Sequence, residues 1–303
     1  MTISSSAKNL TTNASQTSVL MPRLSDLAAP YDGFIIDLWG VLHDGTHPYP
    51  GSIECLRSLR EQNKKILLLS NAPRRAFKAV EVLDKIGFHP DHYDHVLTSG
   101  EVTFNYLEKT DKHGEAFYYI GPKKDEDILN NSRYKRVMDP KEADFALVTG
   151  FDNFGDTFET KRPQAEACLE AGIPLICANP DRKVVKQETG LVMLCAGLIA
   201  EWYEEQGGKV IAFGKPHRPT YEASIELLGI SDVNKLAAIG DSLHTDIDGA
   251  NNMGIFSILC SGGILAGDFG ITPGELPSQD ALERVCKDEG GVIPSAVIPG
   301  FVW

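Results

Sequence analysis

Short apolar runs recur along the chain, and most are followed by a stretch with helical spacing. The first is Phe34-Ile35-Ile36, which ends on Asp37 and is followed by Leu38-Trp39-Gly40-Val41-Leu42-His43-Asp44-Gly45. Lys65-Ile66-Leu67-Leu68-Leu69-Ser70 is the second. Such continuous runs predict strands buried on both faces, as in a parallel sheet. The intervening patterns predict helices over 51–62, 74–86 (closed by Gly87) and 101–108, with a further strand near 95–98. Strand and helix in alternation define an α/β class with a mainly parallel sheet.

A polar break at 110–114 interrupts this order. A second α/β block follows, with strands at 116–120, 145–149 and 174–177, helices over 161–171 and 197–206, and Gly207-Gly208 at its end. The first style then resumes with strands at 210–213, 236–239 and 255–259 and helices over 219–228 and 244–253. The expected organisation is a discontinuous core domain, residues 23–112 and 210–303, with an α/β cap domain inserted at 113–209. Residues 1–22, rich in Ser, Thr and Asn, predict a disordered tail. The C-terminal Ile298-Pro299-Gly300-Phe301-Val302-Trp303 predicts docking on the chain's own core or on a partner.

Composition narrows the functional classes. Charge is 29 basic residues against 42 acidic, a net of -13, which argues against nucleic acid and anionic membranes as partners. No apolar run approaches the length of a membrane span. Six cysteines without CxxC spacing, several inside apolar runs, read as reduced core residues of a cytoplasmic protein.

Four predicted strand ends carry reactive side chains. They are Asp37; Ser70-Asn71 before Ala72-Pro73-Arg74-Arg75; Gly214-Lys215-Pro216; and Gly240-Asp241-Ser242-Leu243-His244-Thr245-Asp246. Singly, each has an ordinary structural use. Ser70 and Asn71 suit a helix N-cap, Lys215 a solvated surface, and Asp246 a first helical turn. As a set at the carboxyl edge of one sheet they suit phosphate chemistry. Acidic groups hold a divalent cation, a hydroxyl with helix-start amides cradles phosphate oxygens, and a lysine balances the remaining charge.

This set resembles the haloacid dehalogenase superfamily, and most closely its type IIA subclass of 4-nitrophenylphosphatase-like, ribonucleotide and pyridoxal-phosphate phosphatases. Gly40-Val41-Leu42, Asp44-Gly45, Pro50-Gly51 and Arg74-Arg75 add to the match, as do Val148-Thr149-Gly150-Phe151-Asp152 and Ala178-Asn179-Pro180-Asp181 in the insertion. The resemblance runs from about residue 32 to 263. It implies a Rossmann-like core under an α/β cap and a Mg²⁺-dependent phosphatase acting on a small phosphorylated metabolite. Asp37 would attack phosphorus to form an aspartyl-phosphate. Asp37, the Trp39 backbone carbonyl and Asp241 would hold Mg²⁺, with Asp246 in reach through water. Ser70 and Asn71 would bind phosphate, and Lys215 would neutralise Asp37 and the transferring group. Asn179, Asp181 and Arg182 would meet the substrate. A homodimer through the cap is also implied.

The chain departs from this pattern at Trp39, where the phosphatases carry a second Asp that protonates the leaving oxygen. An indole N–H is a donor without useful acidity. His43 is a candidate replacement acid, and an ordinary loop histidine bonded to backbone is equally in keeping with the sequence. After Asn179-Pro180-Asp181 come Arg182, Lys183 and Lys186, whose cations suit an additional acidic group on the substrate as well as a solvated loop. Two alternatives to a hydrolase stay open: a phosphate-binding regulatory protein with little turnover, and a phosphotransferase.

Overall fold

The sheets assemble from the apolar runs in the order the pattern implies, with one strand changing sides. The computed structural model describes residues 18–186 and 191–303. Strands β1 (Val19–Leu20), β2 (Gly33–Asp37), β3 (Lys65–Ser70) and β4 (His95–Thr98) belong to the first sheet. Strands β5 (Ala116–Ile120), β6 (Lys135–Val137), β7 (Phe145–Val148) and β8 (Leu175–Cys177) belong to a second. A hairpin of β9 (Lys183–Lys186) and β10 (Leu191–Leu194) follows, and then β11 (Val210–Ala212), which returns to the second sheet. Strands β12 (Leu236–Gly240), β13 (Phe256–Cys260) and β14 (Ala296–Ile298) complete the first.

The first sheet has seven strands in the order β1-β14-β13-β12-β2-β3-β4, all parallel. Every residue of β2 is buried, as a central strand covered on both faces requires. Helices α1 (Ser52–Glu61) and α2 (Ala76–Lys85) link β2, β3 and β4, and α3 (Ser99–Lys109) leads from β4 into the second sheet. One face packs Phe34, Ile36, Leu56, Leu59, Ile66, Leu68 and Phe88 into a single cluster. Each such fully buried side chain contributes about 1.5–3 kcal/mol.

The second sheet has five strands in the order β11-β8-β7-β5-β6, again parallel. It packs on α4 (Arg162–Ala171) and α5 (Ala196–Glu205), with Val148, Phe151, Cys168, Ile199 and Tyr203 between them. The chain returns to the core through α6 (Arg218–Leu228). A π-helical turn, Leu243–Ile247, then runs into α7 (Asp248–Asn252), where the pattern predicts one continuous helix. Two further helices, α8 (Ala266–Phe269) and α9 (Gln279–Asp288), precede β14.

Three sequence expectations change, and one left open is decided. The strand read at 210–213 as the return to the first sheet pairs instead with β8, Val210 opposite Leu175 and Ala212 opposite Cys177. The expected tail lies outside the described residues up to residue 17, but Val19 and Leu20 pair with Ala296 and Val297 as an edge strand. The basic loop after Asp181 begins as a strand, because Lys183–Lys186 pairs antiparallel with Leu191–Leu194. The C-terminal residues dock on their own core: Phe301 is buried in the first cluster, Trp303 packs against it, and Val302 O accepts from Leu24 N at 2.9 Å. Among the described residues no helix is long and apolar enough to cross a membrane. All six cysteines are free and buried.

Candidate active site

Sheet register brings the strand-end residues together. Ile36 lies opposite both Leu68 and Ile239, so Asp37, Ser70 and Asp241 leave three adjacent parallel strands at one edge. Asp37, Asp241 and Asp246 are all buried, and each offers an oxygen within 4.8 Å of the others. Lys215, 3 % exposed, donates to Asp37 Oδ1 at 2.5 Å and to Asp246 Oδ1 at 2.7 Å.

The backbone around the triad is built for close approach. Gly40 has φ +83°, and a Cβ there would lie 1.8 Å from Asp241 Oδ2. No other residue type fits that contact. Asp241 Oδ2 accepts from Ile264 N at 2.9 Å. In the π turn, Ser242 O accepts from both Asp246 N and Ile247 N, each at 3.2 Å. Turns of this type concentrate at functional positions. Tyr221, fully buried on α6, donates to Asp246 O at 3.0 Å. The sequence carried no signal for that brace, since an aromatic on the inner face of a helix reads as core.

The electrostatics follow from placing three carboxylates and one ammonium out of water. Burial pushes the Asp37 carboxyl up, Lys215 opposes this, and Asp246 and Asp241 add to it. Burial and Asp246 push Asp241 up to about 7. Burial works against the Lys215 charge, but Asp246 and Asp37 outweigh it and raise the lysine. One lysine does not balance three ionised carboxylates. A divalent cation among their oxygens would, and an all-oxygen donor set is what Mg²⁺ takes. The residues therefore fit the metal that the resemblance implies.

The phosphate-loop residues have defined tasks. Ser70 Oγ accepts from Ala72 N at 3.2 Å. The Asn71 side chain is committed within the protein. Its Nδ2 donates to Asp181 Oδ1 at 2.8 Å and to Lys215 O at 3.1 Å, and its Oδ1 accepts from Lys215 N at 2.7 Å. For ligand binding this leaves the Asn71 backbone N–H rather than the amide group.

The residues expected from the insertion separate. Asn179 is buried, and its Oδ1 accepts from Asp181 N at 3.1 Å, a local turn. Asp181 reaches the core through Asn71; burial raises its carboxyl, against Asn71 and Lys215. Arg182 pairs with Glu201 at 3.1 Å on the surface of the inserted domain. The sequence expectation that it meets substrate gains no support from that position.

Trp39 is 37 % exposed, with its ring against Gly45, where a Cβ would lie 2.3 Å from Trp39 Cζ3. Of the two readings of His43, the geometry favours the loop histidine bonded to backbone. It is 6 % exposed, its Nδ1 accepts from Gly45 N at 2.9 Å, and burial lowers it to about 4, against Asp44. A neutral imidazole accepting a backbone N–H braces the loop and holds no spare acidic proton.

Comparison with known proteins agrees with this geometry. A haloacid dehalogenase-like hydrolase family model matches residues 34–135, and a HAD-hydrolase-like model matches residues 212–275. These spans contain Asp37, Ser70, Asn71, Lys215, Asp241 and Asp246. A solved haloacid dehalogenase-like hydrolase from Brucella suis 1330 superposes with a TM-score of 0.78 at 30 % identity, covering 93 % of this chain and 100 % of that one. A 4-nitrophenylphosphatase from Thermotoga maritima has a TM-score of 0.69 at 28 % identity, with 91 % and 96 % covered. The sugar-phosphatase AraL of Bacillus subtilis (strain 168) is 28 % identical over 217 residues, 71 % of this chain and 77 % of the relative.

A parallel-sheet enzyme with a carboxylate-and-lysine site at its carboxyl edge is thus matched in sequence as well as in shape. The chain belongs to the haloacid dehalogenase-like hydrolase family, in its type IIA branch, and is a phosphatase of that family.

Proposed function

We propose that the chain is a cytoplasmic, Mg²⁺-dependent phosphatase that hydrolyses a small phosphorylated metabolite through an aspartyl-phosphate at Asp37. The observation that carries this is the Lys215 ammonium lying between Asp37 Oδ1 (2.5 Å) and Asp246 Oδ1 (2.7 Å) in a buried carboxylate triad. Relatives act on sugar phosphates and on 4-nitrophenyl phosphate by name. The six buried free thiols suit a reducing compartment.

The residues divide the work as follows. Asp37 forms an oxygen–phosphorus bond as the ester oxygen departs with its electron pair; water then cleaves the acyl-phosphate and restores the carboxylate. Ser70 and the Asn71 N–H hold phosphoryl oxygens, and Lys215 screens Asp37 against the incoming dianion. Asp37, Asp241, the Trp39 carbonyl and, through water, Asp246 would hold Mg²⁺. When bound, the metal supplies positive charge beside the phosphoryl oxygens. Trp39 gives the departing oxygen no proton, so the favoured substrates are those whose leaving group is already a stable anion, such as aryl and acyl phosphates.

Single-turnover reaction with acetyl phosphate or 4-nitrophenyl phosphate, acid quench and peptide mass spectrometry test the reading. The expected result is a phosphate mass on Asp37 that is absent in Asp37→Asn. Phosphate binding with no label and no turnover would instead support the regulatory binder, the reading Trp39 favours. Transfer to added alcohols in preference to water would support a phosphotransferase. The same reading carries a homodimer through the inserted domain, where Phe154, Leu191 and Val192 are exposed; light scattering measures it.

A further inference from the structure

We propose that Asp181, in the inserted domain, is a positioning residue that acts through the Asn71 side chain to set Lys215 against Asp37. The inference rests on the role given to Lys215 above.

Lys215 stands where the inserted sheet runs back into the core, three residues before α6, and its hydrogen bonds go to the core residues Asn71, Asp37 and Asp246. It lies three residues past β11, the edge strand of the second sheet, and the pairing continues beyond that strand, with Phe213 N donating to Cys177 O at 3.0 Å. Asp181 lies four residues past β8, the neighbour of β11. An acid and a lysine that follow adjacent strands of the inserted sheet therefore meet on one core side chain.

That side chain is saturated by them. Both Nδ2 hydrogens of Asn71 are used, one on Asp181 Oδ1 at 2.8 Å and one on Lys215 O at 3.1 Å, while Oδ1 takes the Lys215 N–H at 2.7 Å. Asp181 fixes the amide plane, and the amide plane fixes the Lys215 backbone on both its N–H and its C=O. The fit is tight. Gly214 has φ +118°, and a Cβ there would lie 2.6 Å from Pro180 Cδ and 2.7 Å from Asn71 Oδ1. A hydroxyl ties the same junction, because Ser99 Oγ lies 2.7 Å from Asn71 O and 2.5 Å from Ala178 O.

Without Asp181, one Nδ2 hydrogen loses its partner and the amide is free to turn. The lysine backbone then loses its template, although its ammonium still has Asp37 and Asp246 to pair with. A misplacement of about 1 Å at a reacting centre costs about 100-fold in rate. The effect falls on kcat, since the Asp181 side chain acts on the reacting groups through Asn71 and Lys215.

The test uses the full chain with Mg²⁺ and 4-nitrophenyl phosphate, together with hydrogen exchange of the Lys215 amide. Asp181→Ala lowers kcat about 10–100-fold with KM held within about threefold, and speeds Lys215 amide exchange about tenfold or more. Asp181→Asn keeps an acceptor oxygen for Asn71 and recovers most of both losses. Asn71→Ala reproduces Asp181→Ala, and the double variant is no worse than the singles. Equal defects in Asp181→Asn and Asp181→Ala, a change in KM alone, or unaltered Lys215 exchange in Asp181→Ala overturns the inference. Absence of turnover in the wild type would overturn the phosphatase reading, and the exchange data would still decide the positioning role.

Discussion

Replacing Trp39 by aspartate puts a carboxyl group two residues past the proposed nucleophile, on a loop whose backbone already wraps the triad at Gly40. If the wild-type enzyme lacks a proton donor, Trp39→Asp supplies one. General acid help is worth about 10²–10⁴-fold where the leaving alkoxide is poor, and little where 4-nitrophenolate departs unaided. Glycerol phosphate turnover should therefore rise by about 10²-fold or more, while 4-nitrophenyl phosphate changes by less than about tenfold. The substitution also costs stability. With 37 % of the residue exposed, about 150 Å² of an indole's roughly 250 Å² is out of water. At ~25 cal/mol/Å² this is about 4 kcal/mol as an upper bound, or a drop of about 10 °C in Tm. Rates must be compared where circular dichroism shows both proteins folded. Trp39→Phe, which keeps a ring against Gly45, is the control and should leave the alkyl-to-aryl ratio of kcat/KM unchanged. A folded Trp39→Asp protein with an unaltered ratio would refute the reasoning, because the proton would then come from another group.

Mg²⁺ at about 100 times its Kd should stabilise the fold by about 2.7 kcal/mol over the chelated protein. Asp241→Asn should abolish that difference in a thermal melt. At Asp94, burial pushes the carboxyl up, but the Ile66 N–H at 2.8 Å and Arg60 at 2.7 Å outweigh it and hold it below the usual range. Its contribution is thus present above the unfolded value of about 3.9 and lost as pH falls through the lower folded value, so Asp94→Asn should flatten the acid limb of a Tm-versus-pH curve. Phe301, 3 % exposed in the first core cluster, should cost about 3–5 kcal/mol on truncation to alanine, measured by urea unfolding.

The strand-end acids were legible in the sequence for a physical reason. A continuous apolar run ending in a polar residue marks the carboxyl edge of a buried parallel strand, and Asp37, Ser70 and Asp241 each end such a run. The same reasoning fails where pairing, not pattern, decides. Val210–Ala212 is as short and apolar as a strand of either sheet, and only its hydrogen bonds to Leu175–Cys177 assign it. Ala296–Ile298 drew no strand prediction, because three residues between Pro294-Ser295 and Pro299-Gly300 give no period to read. The side chain of Asn71 reads locally as a helix cap or phosphate ligand, yet its partners stand 110 and 144 positions away.

These failures are connected. Reading Val210–Ala212 as core makes Lys215 a core residue, and then the insertion contributes only specificity to the site. With the strand in the second sheet, the lysine stands at the junction, three residues past β11 and three before α6. Its ammonium meets Asp37 at 2.5 Å and its backbone meets Asn71, so the inserted sheet runs directly into the core site. The side chain that reaches across from the inserted domain is Asp181, on Asn71 at 2.8 Å, so docking of that domain bears on the reacting centre through the Asn71 amide. Residues that hold the junction, Asn71 and Gly214 among them, are therefore expected to act on rate even where they touch no substrate.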